Sequence, residues 1–276
     1  MALRYWRGAT QVWSSTANWS ATPTGATGVA EPASSDDVFV LEGSLDIDAI
    51  DRSSVDLASL TIGGNFTGKI KGLQIACSGA TRINCVNDVV LLPGTNNIDD
   101  LRIYSTGNAT VRLSAGAGLV TACQLGQGNL VRESGCTITT MNNAGGTLVD
   151  TGGTAYTTLN AYGGTTVTQI GATTANVSST LVSLGAAAFT TINAFNGTVA
   201  SINAYGTIAT LNLFSGATIN DQPVGTRTVG GTQYTGTPMP FTVTNSTAWF
   251  GSNLFPNAKV NITYSNATTF VGKTGA

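Results

Sequence analysis

Between residues 151 and 220 the chain carries no Asp, Glu, Lys or Arg. That gap constrains the fold more than any motif does. A compact globule needs a solvated surface, on which Lys and Glu are the usual occupants, so a neutral stretch of this length asks for a different way of satisfying water. The stretch also repeats itself. Thr158-Leu159-Asn160-Ala161-Tyr162 returns as Thr191-Ile192-Asn193-Ala194-Phe195, as Ser201-Ile202-Asn203-Ala204-Tyr205 and as Thr210-Leu211-Asn212-Leu213-Phe214. Extended in both directions, the aliphatic position falls at Ile138, Leu148, Leu159, Ile170, Leu181, Ile192, Ile202 and Leu211, at nearly even steps. These steps are too short for helix-pair repeats, which need about 33 residues or more, and Thr, Val, Ile and Gly favour strands and turns over helix.

The predicted unit is a strand of about five residues and a turn carrying Gly, Asn or Ser, with its aliphatic side chain pointing inward. Two units make a coil of roughly 20 residues, stacked on the next at about 4.8 Å. Like charges repeated at that spacing would repel, which explains their exclusion. Thr and Asn hydrogen-bond along such a stack, and Gly supplies positive φ at corners. The fold class is therefore all-β, a β-solenoid. Earlier segments, such as Leu57-Ala58-Ser59-Leu60-Thr61-Ile62, Gly72-Leu73-Gln74-Ile75 and Leu101-Arg102-Ile103-Tyr104, read as further strands, and helix is expected to be minor. The predicted organisation is a Trp-rich N-terminal capping or attachment segment over 1–56, a solenoid over 57–221, and a small C-terminal β element or arm over 222–276. Pro223, Pro238, Pro240 and Pro256 interrupt the last of these.

Composition removes several classes of function. Charged residues make up 9% of the chain, against roughly 25% in ordinary globular proteins. Yet 42% hydrophobic content is too high for a disordered one. A net charge of −2 offers nothing to a phosphate backbone, so no nucleic-acid partner is expected. Histidine is absent, and with it the commonest general base and zinc ligand. Cys77, Cys85, Cys123 and Cys136 form no C-x-x-C pair. They read as buried free thiols, with disulfide pairing left open by their even number. No cofactor and no metal is expected. The opening Met-Ala-Leu-Arg-Tyr-Trp-Arg runs into polar sequence without the apolar core of a secretory leader, and no 18-residue apolar run suggests a membrane span. Synthesis in a cytoplasm without export is the expectation.

Thirteen of the 14 acids lie in residues 1–150, eight of them between Glu31 and Asp56. Asp46-x-Asp48-x-x-Asp51 is the acidic cluster with a notable spacing, but it lacks the Gly and distal Glu of a calcium loop and reads as solvated turn carboxylates. Asp99-Asp100 reads as a turn, and Asp150 and Asp221 are solitary at the boundaries of the uncharged zone. Counting alternation from the inward aliphatic, Tyr162, Phe195, Tyr205 and Phe214 point outward as a row. Such a row would serve as a subunit interface first and a glycan contact second, and the competing reading is an aromatic ladder buried at a corner. Trp6, Trp13 and Trp19, with Arg4 and Arg7, either anchor a partner or plug the open end of the stack. The plug is favoured for Trp13 and Trp19.

The opening Trp13-Ser14-Ser15-Thr16-Ala17-Asn18-Trp19-Ser20, followed by Asp36-Asp37-Val38-Phe39-Val40 and Leu57-Ala58-Ser59-Leu60-Thr61-Ile62, resembles the first segment of many β-helical surface proteins, in which a Trp-containing start caps the first coil. With no leader in sight, the chain is similar to structural proteins of tailed bacteriophages, which reach the exterior by assembling onto the virion. The resemblance implies a non-enzymatic homotrimer on the virion surface: a head decoration (cement) protein bound to the major capsid protein. The alternative is a tail fibre or adhesin binding host surface glycans. A β-helical polysaccharide-degrading enzyme is third, its site confined to the part of the chain before the uncharged zone.

Overall fold

A computed structural model describes residues 1–106, 109–114, 118–185 and 187–195, with backbone alone at 53, 93–96 and 184–185. Beyond 195 it describes the backbone of the strands between 199 and 271. The protein is an all-β solenoid of about 8 turns. Its helical content, among the described residues, is the 3-10 turn Thr16–Asn18. Contacts divide the chain into two compact units, Met1–Met141 with Gly152–Thr154, and Asn142–Thr151 with Ala155–Ala276.

The first unit is built from β1 (Leu3–Trp6), β2 (Trp19–Ser20), β3 (Asp37–Gly43), β4 (Ile50–Leu57), β5 (Ser59–Phe66), β6 (Ile70–Ile83), β7 (Val89–Tyr104), β8 (Thr110–Leu113), β9 (Leu119–Gln127) and β10 (Asn129–Arg132). Successive coils pair parallel and in register. Val38 lies opposite Leu60, Leu60 opposite Thr81, Thr81 opposite Leu101 and Leu101 opposite Cys123. Two positions on, Val40, Ile62, Ile83, Ile103 and Leu125 form a second column. Every residue of both columns is buried. Strand alternation sends these side chains inward and their neighbours out, and each fully buried aliphatic contributes about 1.5–3 kcal/mol relative to exposure. A third column runs Leu73, Leu91, Leu113 and then Arg132, so a fully buried arginine follows three leucines. The parallel pairing already begins with β1 against β3, Leu3 opposite Asp37. Strands within the predicted 1–56 segment therefore take part in the stack.

Strand β11 (Thr137–Asp150) runs from the first unit's residues into the second's. The second unit continues with β12 (Tyr156–Thr168), β13 (Ala172–Val177), β14 (Thr180–Gly185), β15 (Phe189–Ala194), β16 (Val199–Ala204), β17 (Thr207–Leu213) and β18 (Thr218–Asp221). Leu159, Ala175, Ile192 and Leu211 share one register column, and the coils that separate them are unequal in length. Thr166, Leu181, Ala200 and Ile219 share another. The repeated aliphatics thus fall into separate columns, with two corrections to the sequence reading. Ile170 sits in a bend outside the strands, half-buried, because the coil at this level is shorter than two of the repeat units counted in the sequence. Ala175 takes the inward place that spacing assigned to a larger residue. After β18, β19 (Thr226–Val229) and β20 (Thr232–Thr235) pair antiparallel, and short two-residue pairings involve 242–243 with 261–262 and 248–249 with 270–271.

Outward positions carry a side-chain ladder of their own. Asn160 donates to Asn142 Oδ1 at 2.6 Å, Asn176 to Asn160 at 2.8 Å and Asn193 to Asn176 at 2.9 Å. The rung spacing is that of the strands, so one amide's donor meets the next one's acceptor without distortion. At the corners coils approach too closely for a side chain: a β carbon on Gly171 would stand 1.5 Å from the Ala188 carbonyl oxygen.

Asn176 both donates and accepts within the ladder, so Asn176→Ala should lower stability by about 1–2 kcal/mol in urea unfolding. Asn176→Asp should cost more at neutral than at acid pH. Its carboxylate would face Asn160 Oδ1 with no proton to donate, which raises the folded-state pKa above the unfolded one. Stability is then retained below the unfolded pKa and lost as pH rises through the carboxylate range. No loss on Asn176→Ala would mean that the ladder carries no energy, and equal losses on Asn176→Asp at both pH values would mean that the carboxylate is not disfavoured in it.

Candidate functional site

At the N-terminus three indoles close on one another. Trp6 ends β1 and lies opposite Trp19 in the antiparallel pairing with β2, and the intervening loop folds Trp13 onto both. Ring centroids are 6.0 Å apart for Trp6–Trp13, 5.2 Å for Trp6–Trp19 and 4.6 Å for Trp13–Trp19, the last two edge-to-face, as ring quadrupoles prefer. All three are buried, and Trp19 Nε1 donates to the Trp13 carbonyl at 2.5 Å. The loop is fixed by buried Asn18. Its Oδ1 accepts from Thr10 N at 2.6 Å, and its Nδ2 donates to Thr10 Oγ1 and to the Val12 carbonyl. The tryptophans are therefore spent on the cap, Trp6 included, and present almost no surface to an outside partner. Of the two arginines, Arg4 lies 3.4 Å from the Asp36 carboxylate, which also accepts from Ala2 N and Ala33 N. Arg7 binds Glu42 and the Pro23 carbonyl.

Beside this cap is an open groove of about 250 Å³ lined by Tyr5, Trp6, Arg7, Phe39, Glu42 and Asn65, among others. Tyr5 and Phe39 are register partners, stacked at 4.8 Å and 14° on the outward side of strands whose Val38 and Val40 point in. Trp6 Nε1 is buried without a hydrogen-bond partner. It sits beside Gly8 and Gly43, where added β carbons would come within 3.3 and 3.8 Å.

Several of the acidic side chains tie one coil to the next. Asp46 accepts from Lys69 N at 3.0 Å, Asp56 from Ser78 N at 2.9 Å and Asp88 from Thr110 N at 3.0 Å, each donor lying one coil ahead. Lys71 bridges Asp48 at 2.9 Å and Asp46 at 3.7 Å, and its hydrogen bond to Asp48 raises its pKa. Asp51 is exposed nearby. Asp99 takes a contact from Thr121, Glu133 holds Ser114 and Arg112 across a coil, and Asp100 pairs with Arg102 on its own strand, raising the arginine's pKa. No group of three His, Cys, Asp or Glu that could hold a metal occurs among the described residues.

In the second unit Asp150 is buried, accepting from Tyr156 Oη at 2.7 Å and Thr168 Oγ1 at 3.0 Å. Nothing in its sequence surroundings announced this network, since both donors lie on a later strand. Of the expected aromatic row, Tyr162 is 53% exposed and Phe195 half-buried. Tyr205 and Phe214 lie outside the described residues. The row is interrupted where it can be followed: Ala161, Val177 and Ala194 are register partners, so Ser178 occupies the place between Tyr162 and Phe195. Shortened coils put a polar residue between the two aromatics.

All four cysteines are buried, and none is in a disulfide. Burial pushes the Cys77 and Cys85 thiols up and the Cys123 thiol far up, which withholds the thiolate needed for nucleophilic chemistry. Comparison with known proteins finds no matching family model, no similar curated protein and no similar solved structure. No helix among the described residues is long and apolar enough to cross a membrane.

Two measurements check this geometry. At about pH 8, where an ordinary thiol is partly ionised, iodoacetamide should leave the native protein unlabelled and modify every cysteine after unfolding, as read by intact mass. Labelling of the native chain would contradict the burial. Tyr156→Phe, which removes a donor from a buried carboxylate, should cost about 1.5–3 kcal/mol while far-UV circular dichroism stays unchanged.

Proposed function

We propose that the protein is a non-enzymatic structural component of a virion: a head decoration protein that lies on the outer capsid surface, contacts the major capsid protein and its own copies in a trimer, and stabilises the particle. The observation that supports this reading is the use made of charge. In the first unit carboxylates bridge one coil to the next, and in the second a neutral amide ladder replaces them. Polar chemistry is committed to holding the stack together, which suits a rigid building element. The phage assignment itself rests on the resemblance carried by the opening segment, from Trp13 to Ile62.

Purified particles of the parent virus should carry the protein in a fixed, high ratio to the major capsid protein. Particles assembled without it should lose infectivity faster on heating or osmotic shock, and size-exclusion chromatography with light scattering should give a trimer. Absence from particles, or a few copies confined to the tail, would overturn the decoration role.

A further inference from the structure

We infer that the groove beside the tryptophan cap binds a neutral pyranose sugar. It has the size and the two kinds of surface such a ring requires. A volume of about 250 Å³ lies just under the range for drug-sized ligands and suits one monosaccharide unit. The Tyr5 and Phe39 rings, stacked on one another and half-buried, leave part of their apolar surface open to the C–H groups of a pyranose. Around that platform stand groups matched to a rim of hydroxyls: the Arg7 guanidinium as donor, the Glu42 carboxylate as acceptor, and the Asn65 amide as both.

Charge decides the kind of sugar. Arg7 and Glu42 are paired directly with each other in the groove lining, so an anionic residue such as a uronic or sialic acid would meet Glu42 without a free cation to offset it. A neutral hexose meets complementary donors and acceptors. Binding is not coupled to cleavage, because Glu42 is the single carboxylate lining the groove and glycoside hydrolysis ordinarily needs two. Trp6 is among the lining residues, and its buried indole N–H, beside Gly8 and Gly43 and without a hydrogen-bond partner, serves as a spectroscopic reporter next to the groove. Sugar binding here is independent of the virion role, and each can fail alone.

The test is a titration of the full-length, ¹⁵N-labelled protein with the methyl glycosides of glucose, galactose, mannose and N-acetylglucosamine, and with methyl glucuronide and methyl sialoside as anionic probes. At least one neutral glycoside should shift the Trp6 indole signal with a dissociation constant on the order of millimolar. Both anionic probes should bind at least tenfold more weakly. Phe39→Leu, which keeps apolar bulk but loses the flat ring, should weaken binding about tenfold, and Glu42→Gln several-fold, whereas Tyr104→Ala, remote from the groove, should not change it. Should Phe39→Leu fail to fold, the wild-type titration and Glu42→Gln decide. No shift with any neutral glycoside at about 100 mM, equal binding by wild type and Phe39→Leu, or preference for an anionic probe would each overturn the assignment.

Discussion

Parallel pairing of one coil with the next, in fixed register, is the constraint on which the rest depends. Because each residue meets its counterpart one coil later, every strand side chain stands against its register partner about 4.7–4.9 Å away. Interior positions respond with aliphatic columns, such as Val40, Ile62, Ile83, Ile103 and Leu125. Exterior positions respond either with opposite charges on successive coils or with groups that both donate and accept. Arg82 opposite Arg102 shows the rule under strain. There like charges do face each other, and Asp100 sits on Arg102 at 2.6 Å to relieve them.

This constraint also sets what could be read from the amino-acid order. Period-two alternation and recurring Thr-Leu-Asn-type units made the strands and their inward aliphatics legible, and Leu159, Ile192 and Leu211 do share a column. The even step between repeats was legible only in part, because register is counted in hydrogen bonds and corners vary in length. The short coil between Leu159 and Ala175 leaves Ile170 at a bend and puts Ser178 in the line of Tyr162 and Phe195. An alanine in an inward column looks like filler in a sequence, and a misplaced step hides it.

The polar interior was not legible at all. Arg132 follows Leu73, Leu91 and Leu113, and Asp150 lies buried under Tyr156 and Thr168. A charge in a sequence reads as surface, since burial without partners is costly, and partners brought in from other coils are invisible until register is known. Buried Asn143 is the same case in neutral form. Its amide reaches the carbonyls of Gly146 and Thr165 and the Thr166 hydroxyl, while its oxygen accepts from Gly145 N and Gly146 N. It completes a corner whose glycines alone gave no hint of it.

A stack of parallel coils has open edges, and an open edge recruits further strands. At the N-terminus β2 answers this by pairing antiparallel with the end of β1, which stops parallel addition there, and the tryptophans cover what remains. The same arrangement produces the groove. Ending the parallel stack at β1 leaves the outward pair Tyr5 and Phe39, whose column continues as Thr61 and Arg82, so an aromatic platform exists only at the first two strands of that column. The cap loop then brings Pro23 and Arg7 against its side. The residues that terminate the solenoid thus also frame an aromatic recess, to which Tyr5 and Phe39 bring half-buried rings while the tryptophans that the sequence puts forward are themselves buried.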